Sequence, residues 1–350
     1  MGRGATFAVA AFGLLFASGV ALAAETYRFS APPGSLEIVR TVGGIEGGIS
    51  QGPSRVGLRD RDGGVRLLEL NRGKLAVSVS VPTSIPLAPR SDNILPHGEI
   101  TYGTGGIARA WLTDPTERYA HGVLGDAIEA GGLALQRADG RIARYKLDAG
   151  SVFEDRRVRL TDLDGDGRDE AIVVQSYLDA GAALAVFGLD ESGVVFLSEV
   201  PAIGRANRWL NPVGAADFDG DGRTEVAFVE TPHIGGTLRL YEFRDRKLHK
   251  DHAARGFSNH GIGSREQSQA AVHDWTGDGV ADIAVPDARR SGIRFVTFAG
   301  GEFREFDAVA HRQKIVTAVR PAKLDRSGVV YAVYGLADGT IVAARPTPAK

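Results

Sequence analysis

The sequence predicts an all-β fold, a single β-propeller of four-stranded antiparallel blades, and three observations carry that expectation. A nine-residue acidic loop occurs three times, as DLDGDGRDE from Asp162, DFDGDGRTE from Asp217 and DWTGDGVAD from Asp274. The starts lie 55 (217 − 162) and 57 (274 − 217) residues apart, a period that marks stacked copies of one supersecondary unit. Each loop leads at once into an apolar run, AIVV, VAFV or IAV, and short runs of β-branched and aromatic residues bounded by turn signals read as strands.

The clearest unit starts at Val158. Its expected strands are Val158 into the Asp162 loop, Glu170–Tyr177, Ala182–Leu189 and Val194–Val200, with a hairpin at Asp190–Gly193. The next unit runs Leu210–Asp217, Val226–Thr231, Thr237–Phe243 and Lys247–Lys250. A third runs Gln269–Asp274, Ala281–Pro286, Ile293–Phe298 and Glu302–Phe306, turning at Gly300 and Gly301. Four antiparallel strands at this spacing describe one propeller blade, so the loop-bearing blades cover approximately residues 153–310.

Weaker units flank these. Ile107–Asp114, Leu133–Arg137 and Ile142–Leu147 suggest a blade with an expanded first loop holding Tyr119, His121 and Asp126, which that reading puts on the acidic-loop face. Leu36–Val42, Arg55–Arg59, Val65–Leu70 and Leu75–Val81 make an early blade, where Asp60 and Asp62 imitate the start of an acidic loop. Ile315–Lys323, Val329–Tyr334 and Thr340–Ala344 supply three strands, and Tyr27–Ser30 is the expected fourth. The total is six blades, with seven as the alternative if Ser84–Tyr102 holds a degenerate one.

Composition narrows the setting. Residues 1–23 have the form of a secretory signal: Arg3, an apolar stretch from Ala5 to Val20, and the Ala21-Leu22-Ala23 cleavage site. The expected propeller domain is then 24–350, in a periplasmic or secreted protein, and no other stretch is long and apolar enough to span a bilayer. The chain has no cysteine, so an exported fold must be stapled by something other than disulfides. A formal charge of −2 argues against bulk nucleic-acid or polybasic membrane binding.

The loop chemistry points to Ca²⁺. Acids at loop positions 1, 3, 5 and 9 aim several hard oxygens at one point, position 7 offers a backbone carbonyl, and Gly at position 6 permits the turn. An EF-hand is excluded because position 12 is Val173, Phe228 or Val285 in place of a bidentate Glu, and strand formers follow.

At these residues the chain resembles the FG-GAP / VCBS repeat proteins, the group that includes the integrin α-subunit head. The resemblance is good from about Val158 to Asp307 and implies a β-propeller blade with a calcium loop between its first two strands. Carried over by position, it implies three ligand sets. They are Asp162, Asp164, Asp166, Arg168 (carbonyl) and Glu170; Asp217, Asp219, Asp221, Arg223 (carbonyl) and Glu225; and Asp274, Thr276, Asp278, Val280 (carbonyl) and Asp282. Thr276 stands where an acid is expected, so the third site should be the weakest. Such proteins mostly bind proteins or glycans or serve as scaffolds, and that is the expected role, with structural Ca²⁺.

The opposite face would be formed by the connections between strands 2 and 3 and between blades. Five of these connections, Ile203–Asn211, Thr231–Gly236, Arg255–Arg265, Asp287–Ser291 and His311–Lys314, carry Arg205, Arg208, Arg255, Arg265, Arg289, Arg290, Arg312, Lys314, His233, His260 and His311, against the single acid Asp287. Such a rim suits an anionic ligand, because guanidinium forks match carboxylate and phosphate. His233, His260, Arg289, Arg290 and Trp209 are its candidate ligand-binding residues. The rival reading is a periplasmic enzyme of lyase or hydrolase type using the same histidines as acid and base, but no nucleophile elbow, phosphate-cradling loop or HExxH motif occurs.

Overall fold

The computed structural model describes residues 24–31, 37–40, 55–59, 64–81 and 93–347. The signal-like segment, the Asp60/Asp62 imitation loop and residues 84–92 of the Ser84–Tyr102 stretch lie outside them. The described residues form antiparallel sheets, and none of their helices is long and apolar enough to cross a membrane.

Strand β1 (Glu25–Ser30) stands apart from those that follow it in sequence. β2 (Glu37–Arg40), β3 (Val56–Arg59), β4 (Val65–Asn71) and β5 (Lys74–Val81) pair in order as one four-stranded sheet. A nine-stranded sheet comes next. It contains β6 (Thr101–Tyr102), β7 (Ile107–Thr116), β8 (Glu129–Arg137) and β9 (Ile142–Lys146), then β10 (Ser151–Phe153), β11 (Arg159–Thr161), β12 (Glu170–Tyr177), β13 (Gly181–Asp190) and β14 (Gly193–Glu199). Its two halves are joined in the strand ladder by the pairing of Phe153 with Ala130.

Three four-stranded sheets complete the chain. One pairs β15 (Leu210–Ala216), β16 (Glu225–Glu230), β17 (Thr237–Arg244) and β18 (Lys247–Arg255) in order. Another pairs β19 (Ala271–His273), β20 (Asp282–Pro286), β21 (Gly292–Thr297) and β22 (Arg304–Ala310). The last orders β23 (Arg320–Lys323), β24 (Val330–Gly335) and β25 (Thr340–Arg345) with β1 on its outer edge, Glu25 opposite Arg345 and Ser30 opposite Thr340. The N-terminal strand thus supplies the fourth strand of the last sheet, as the sequence suggested.

Side-chain alternation explains why these sheets stack. Successive residues of a strand point to opposite faces. Ile172 and Val174 enter one apolar cluster with Val226 and Phe228 of the next sheet, while Ala171 and Val173 enter another with Leu133 and Leu135. Ala227 and Val229 likewise meet Ile283 and Val285, and Ala284 and Phe295 meet Tyr334 and Val342. Inner strands covered on both faces lose their polar alternation, as EAIVVQSY of β12 shows, whereas the outer strand β14 is half exposed along its length. Each Val, Leu or Phe so buried stabilises by about 1.5–3 kcal/mol.

Two expectations need correction. The first strand of the Asp162 unit was expected to begin at Val158; it comes in two pieces, β10 and β11, both paired with β12. Glu154 and Asp155 sit fully buried in the break, where their hydrogen bonds replace ladder bonds. The expanded loop with Tyr119, His121 and Asp126 was placed on the acidic-loop face. The two-residue β6 precedes β7, so this loop joins a second strand to a third and lies on the opposite side, where Gly263 donates to the carbonyl of Val123 and Asn207 to the hydroxyl of Tyr119.

Candidate metal centres

The three acidic loops fold by the same local rule. Their first aspartate reaches back over the turn and accepts two backbone amides. Asp162 takes Gly165 and Gly167 at 2.8 and 2.9 Å, Asp217 takes Gly220 and Gly222 at 2.7 and 2.9 Å, and Asp274 takes Gly277 and Gly279 at 2.6 and 3.0 Å. Those glycines hold φ between 76° and 89°, a left-handed region that side chains other than Gly, Asn and Asp rarely enter. The fifth-position acid accepts the seventh amide in every copy, at 2.8 Å for Asp166, 2.9 Å for Asp221 and 2.9 Å for Asp278.

The ninth-position acid closes each loop from below. Glu170 accepts the amide of Leu163 at 2.8 Å, Glu225 that of Phe218 at 2.7 Å, and Asp282 those of Trp275 and Thr276 at 2.8 and 2.9 Å. All three are buried, and burial, reinforced by neighbouring acids, pushes them up to about 7, about 8 and about 6 respectively. The second carboxylate oxygen of Asp282 is buried without a hydrogen-bond partner. Buried carboxylates crowded by other carboxylates are costly unless a cation joins them, so the donor set fits a hard divalent ion.

Ligand convergence differs among the copies. Asp162, Asp164 and Glu170 each bring an oxygen within 4.8 Å of the others, and Asp217, Asp219 and Glu225 do the same. Among the described residues the third loop forms no such trio. Thr276 uses its hydroxyl to bond Asp274 at 3.3 Å, which settles the loop without a third inward charge. Arg168 and Arg223 turn their side chains onto Asp166 and Asp221 at 3.2 and 3.4 Å; exposed pairs of this kind contribute little, and the backbone carbonyls of both residues remain available. Val280 has only its carbonyl to offer.

The rim residues come partly together. Nε2 of His260 lies 2.9 Å from the carbonyl oxygen of Ser264, which can only accept, so that nitrogen carries the proton. Nδ1 of His260 therefore accepts from Nε2 of His233 at 2.9 Å, leaving Nδ1 of His233 as the pair's free lone pair. A metal held by one nitrogen from each ring is incompatible with this relay. Burial drives both imidazoles down, His233 to about 4 and His260 to about 3, with the positive charge of Arg290 adding to the effect.

Arg290 lies over Gly261, where a Cβ would fall 2.3 Å from its Nη1. Its guanidinium is half-buried, and among the described residues it has no hydrogen bond or ion pair. Trp209 is 2% exposed and donates from Nε1 to the Glu154 carbonyl at 2.9 Å. It packs beneath the histidines, so the expectation that it touches a ligand is corrected: it supports the rim. Arg289 is exposed beside them.

Sequence reasoning missed one group in part and another entirely: it named His311 and Arg312 on the rim, but not Arg28 or Tyr334 beside them. Arg28 donates to Nδ1 of His311 at 3.2 Å, and His311 contacts the Tyr334 hydroxyl at 2.9 Å through Nε2. These residues flank a cavity of about 490 Å³ that Arg312 and Gln313 also line. The expected pairing of Tyr27–Ser30 with the last sheet was the signal that could have brought Arg28 there. The other group is the fully buried Glu154 and Asp155. Asp155 binds Arg159 at 2.5 Å and Gln267 at 3.0 Å, and Glu154 binds His121 at 2.6 Å. Nearby Glu129 is pushed up to about 10 by burial and by the charge of Glu154. No motif announces these single residues, and only the break in the first strand brings Glu154 and Asp155 inward.

Comparison with protein families matches residues 162–228 to the FG-GAP-like repeat. That span runs from the first acidic loop through the second and into β16. A search of curated proteins finds no match to the chain. Residues 162–228 are an FG-GAP-like repeat.

Proposed function

We propose that this is an exported, calcium-stabilised β-propeller of six blades that acts as a binding or scaffold module for a protein or glycan partner through anionic groups. The signal-like residues 1–23 support export. Calcium is favoured among divalent ions because the loops offer only carboxylate, hydroxyl and carbonyl oxygens on a pliable turn. The ions serve structure: each loop is tied to its own sheet and, in the second copy, to the next sheet through Gly300 N–H to the Asp219 carbonyl at 2.8 Å.

The observation that carries the binding role is the half-buried guanidinium of Arg290, which has no anionic partner among the described residues and sits beside two neutral imidazoles. A desolvated cation in that position is satisfied by a carboxylate, sulfate or phosphate oxygen. Neighbouring turns extend the surface, since Ile315 donates to the Arg290 carbonyl and His311 to that of Ser291, both at 2.7 Å, leading on to the Arg28–Arg312 cavity. The test is binding to arrays of neutral, uronate-bearing and sulfated glycans and of acidic peptides. Retention of the anionic members by the wild type, and its loss in the Arg289→Ala/Arg290→Ala variant with unchanged melting, is expected. Equal retention by both proteins would overturn the assignment.

A further inference from the structure

The second acidic loop has neighbours that the other two lack. Strand β18 pairs with β17 through a register shift: Arg239 faces Ala253 and Tyr241 faces Lys250, so Leu240 alone stands opposite both Asp251 and His252. Such a bulge breaks the in–out alternation and re-aims side chains. Here it gathers two consecutive ones over the loop. Nε2 of His252 lies 3.2 Å from an oxygen of Asp251 and 3.9 Å from Oδ2 of Asp219, and one donor atom from each of the three residues falls within 4.8 Å of the others.

Two further observations separate this cluster from ordinary surface acids. Nε2 of His252 and Oδ2 of Asp251, the two atoms 3.2 Å apart, are both closed off from water, yet they are not aligned for a hydrogen bond with each other and neither makes another. A buried imidazole nitrogen and a buried carboxylate oxygen each need a partner. The imidazole is also fixed in place by stacking on Phe298 of the next sheet, with centroids 5.5 Å apart and planes at 30°.

Equivalent bulges in the other two loop-bearing sheets place different chemistry. The shift between Val186 and Phe187 frees Leu197, and that between Phe295 and Val296 frees Phe306. Both are apolar, so the first and third loops have no such companion.

We propose a second metal site at Asp219, Asp251 and His252, selective for a borderline divalent transition cation of the Zn²⁺ class. Calcium takes oxygen ligands and has no use for an imidazole, whereas one imidazole and two carboxylates form a Zn²⁺ ligand set. Donors about 2.0–2.2 Å from a tetrahedral ion stand roughly 3.3–3.6 Å apart, close to the separations here. Asp219 serves both sites. Its Oδ1 accepts the amide of Asp221 inside the loop at 3.0 Å, while Oδ2 faces His252. Three protein ligands leave a fourth position for a water or another small donor. Because Asp251 and His252 lie outside the acidic loop, the site does not depend on calcium filling that loop.

The test uses the tag-free full chain in saturating Ca²⁺, titrated with Co²⁺ as a spectroscopic stand-in and then competed with Zn²⁺. One equivalent of Co²⁺ should develop visible absorption of low-coordinate, imidazole-bound cobalt, and Zn²⁺ should displace it. His252→Ala and the isosteric Asp251→Asn should each weaken that site by more than about tenfold while bound calcium stays unchanged. Absence of the absorption in the wild type, its survival in both variants, or its stoichiometric removal by Ca²⁺ would each overturn the proposal. Cobalt binding in a protein that takes up no calcium would leave this site standing and refute the calcium reading alone.

Discussion

The acidic loops and the Arg290 turn, at opposite ends of these sheets, are electrostatic opposites. At the acidic-loop end, Glu170, Glu225 and Asp282 are buried carboxylates surrounded by more carboxylates and short of a cation. At the other end, Arg290 is a half-buried cation with no anion among the described residues, beside His233 and His260 held neutral. Strand order produces the division, because turns between strands 1 and 2 all emerge at one end and turns between strands 2 and 3 at the other. One end therefore gathers acidic clusters that could hold metal ions, and the other is where the proposed anionic ligand would bind.

The largest effect that could break this contrast is removal of calcium. At ten times its dissociation constant each bound ion adds about 1.4 kcal/mol, so chelation should lower stability by about 4 kcal/mol if all three loops fill, read by thermal melting. Glu225→Gln should then reverse its sign with conditions. In chelator it relieves a buried carboxyl that folding pushes up to about 8, and should stabilise by about 1 kcal/mol near neutral pH. In saturating calcium it should destabilise by a similar amount. Destabilisation in both buffers would mean the acid is only a structural hydrogen-bond acceptor.

The rim should respond to protons next. Folding lowers His233 and His260 from 6.5 to about 4 and about 3, so the unfolded chain binds more protons between those values. Stability is complete above pH 6.5 and is lost as pH falls below it, by on the order of 1 kcal/mol per pH unit from each group. His233→Gln should flatten the dependence in denaturant titrations run from roughly pH 6.5 down to 5. An unaltered slope would show that His233 is already solvated.

Smaller again is the ranking of the loops. Thr276→Asp adds the missing third-position carboxylate and should tighten the weakest site roughly tenfold by calorimetric titration, while Asp219→Ala should cost more calcium-dependent stability than Thr276→Ala. The reverse order would dissolve the distinction between the second and third loops. Smallest of all is the effect of Arg289→Ala/Arg290→Ala on melting. Neither guanidinium has a hydrogen-bonded or ionic partner among the described residues, so the change should stay within about 0.5 kcal/mol.

The parts legible in the sequence are those written in contiguous residues. The nine-residue loops announce themselves, inner strands such as AIVV read as apolar runs because both faces are covered, and Tyr27–Ser30 carries enough pattern to be assigned to the last sheet. What stayed hidden depends on distance and register. The two-residue β6 is too short for any pattern, and missing it moved the Tyr119–Asp126 loop to the wrong end. Glu154 and Asp155 look like ordinary surface acids until the broken first strand carries them inward. Asp251 and His252 fall beyond the expected Lys247–Lys250 strand, which in fact continues to Arg255, and a bulge leaves no mark on composition.

The most direct measurement is the calcium content of the folded chain, by equilibrium dialysis alongside melting over a calcium series. Three ions bound per chain, two tighter than the third, with a melting temperature that climbs as they bind, is the expected result. A protein that takes up no calcium and melts identically in chelator would contradict it.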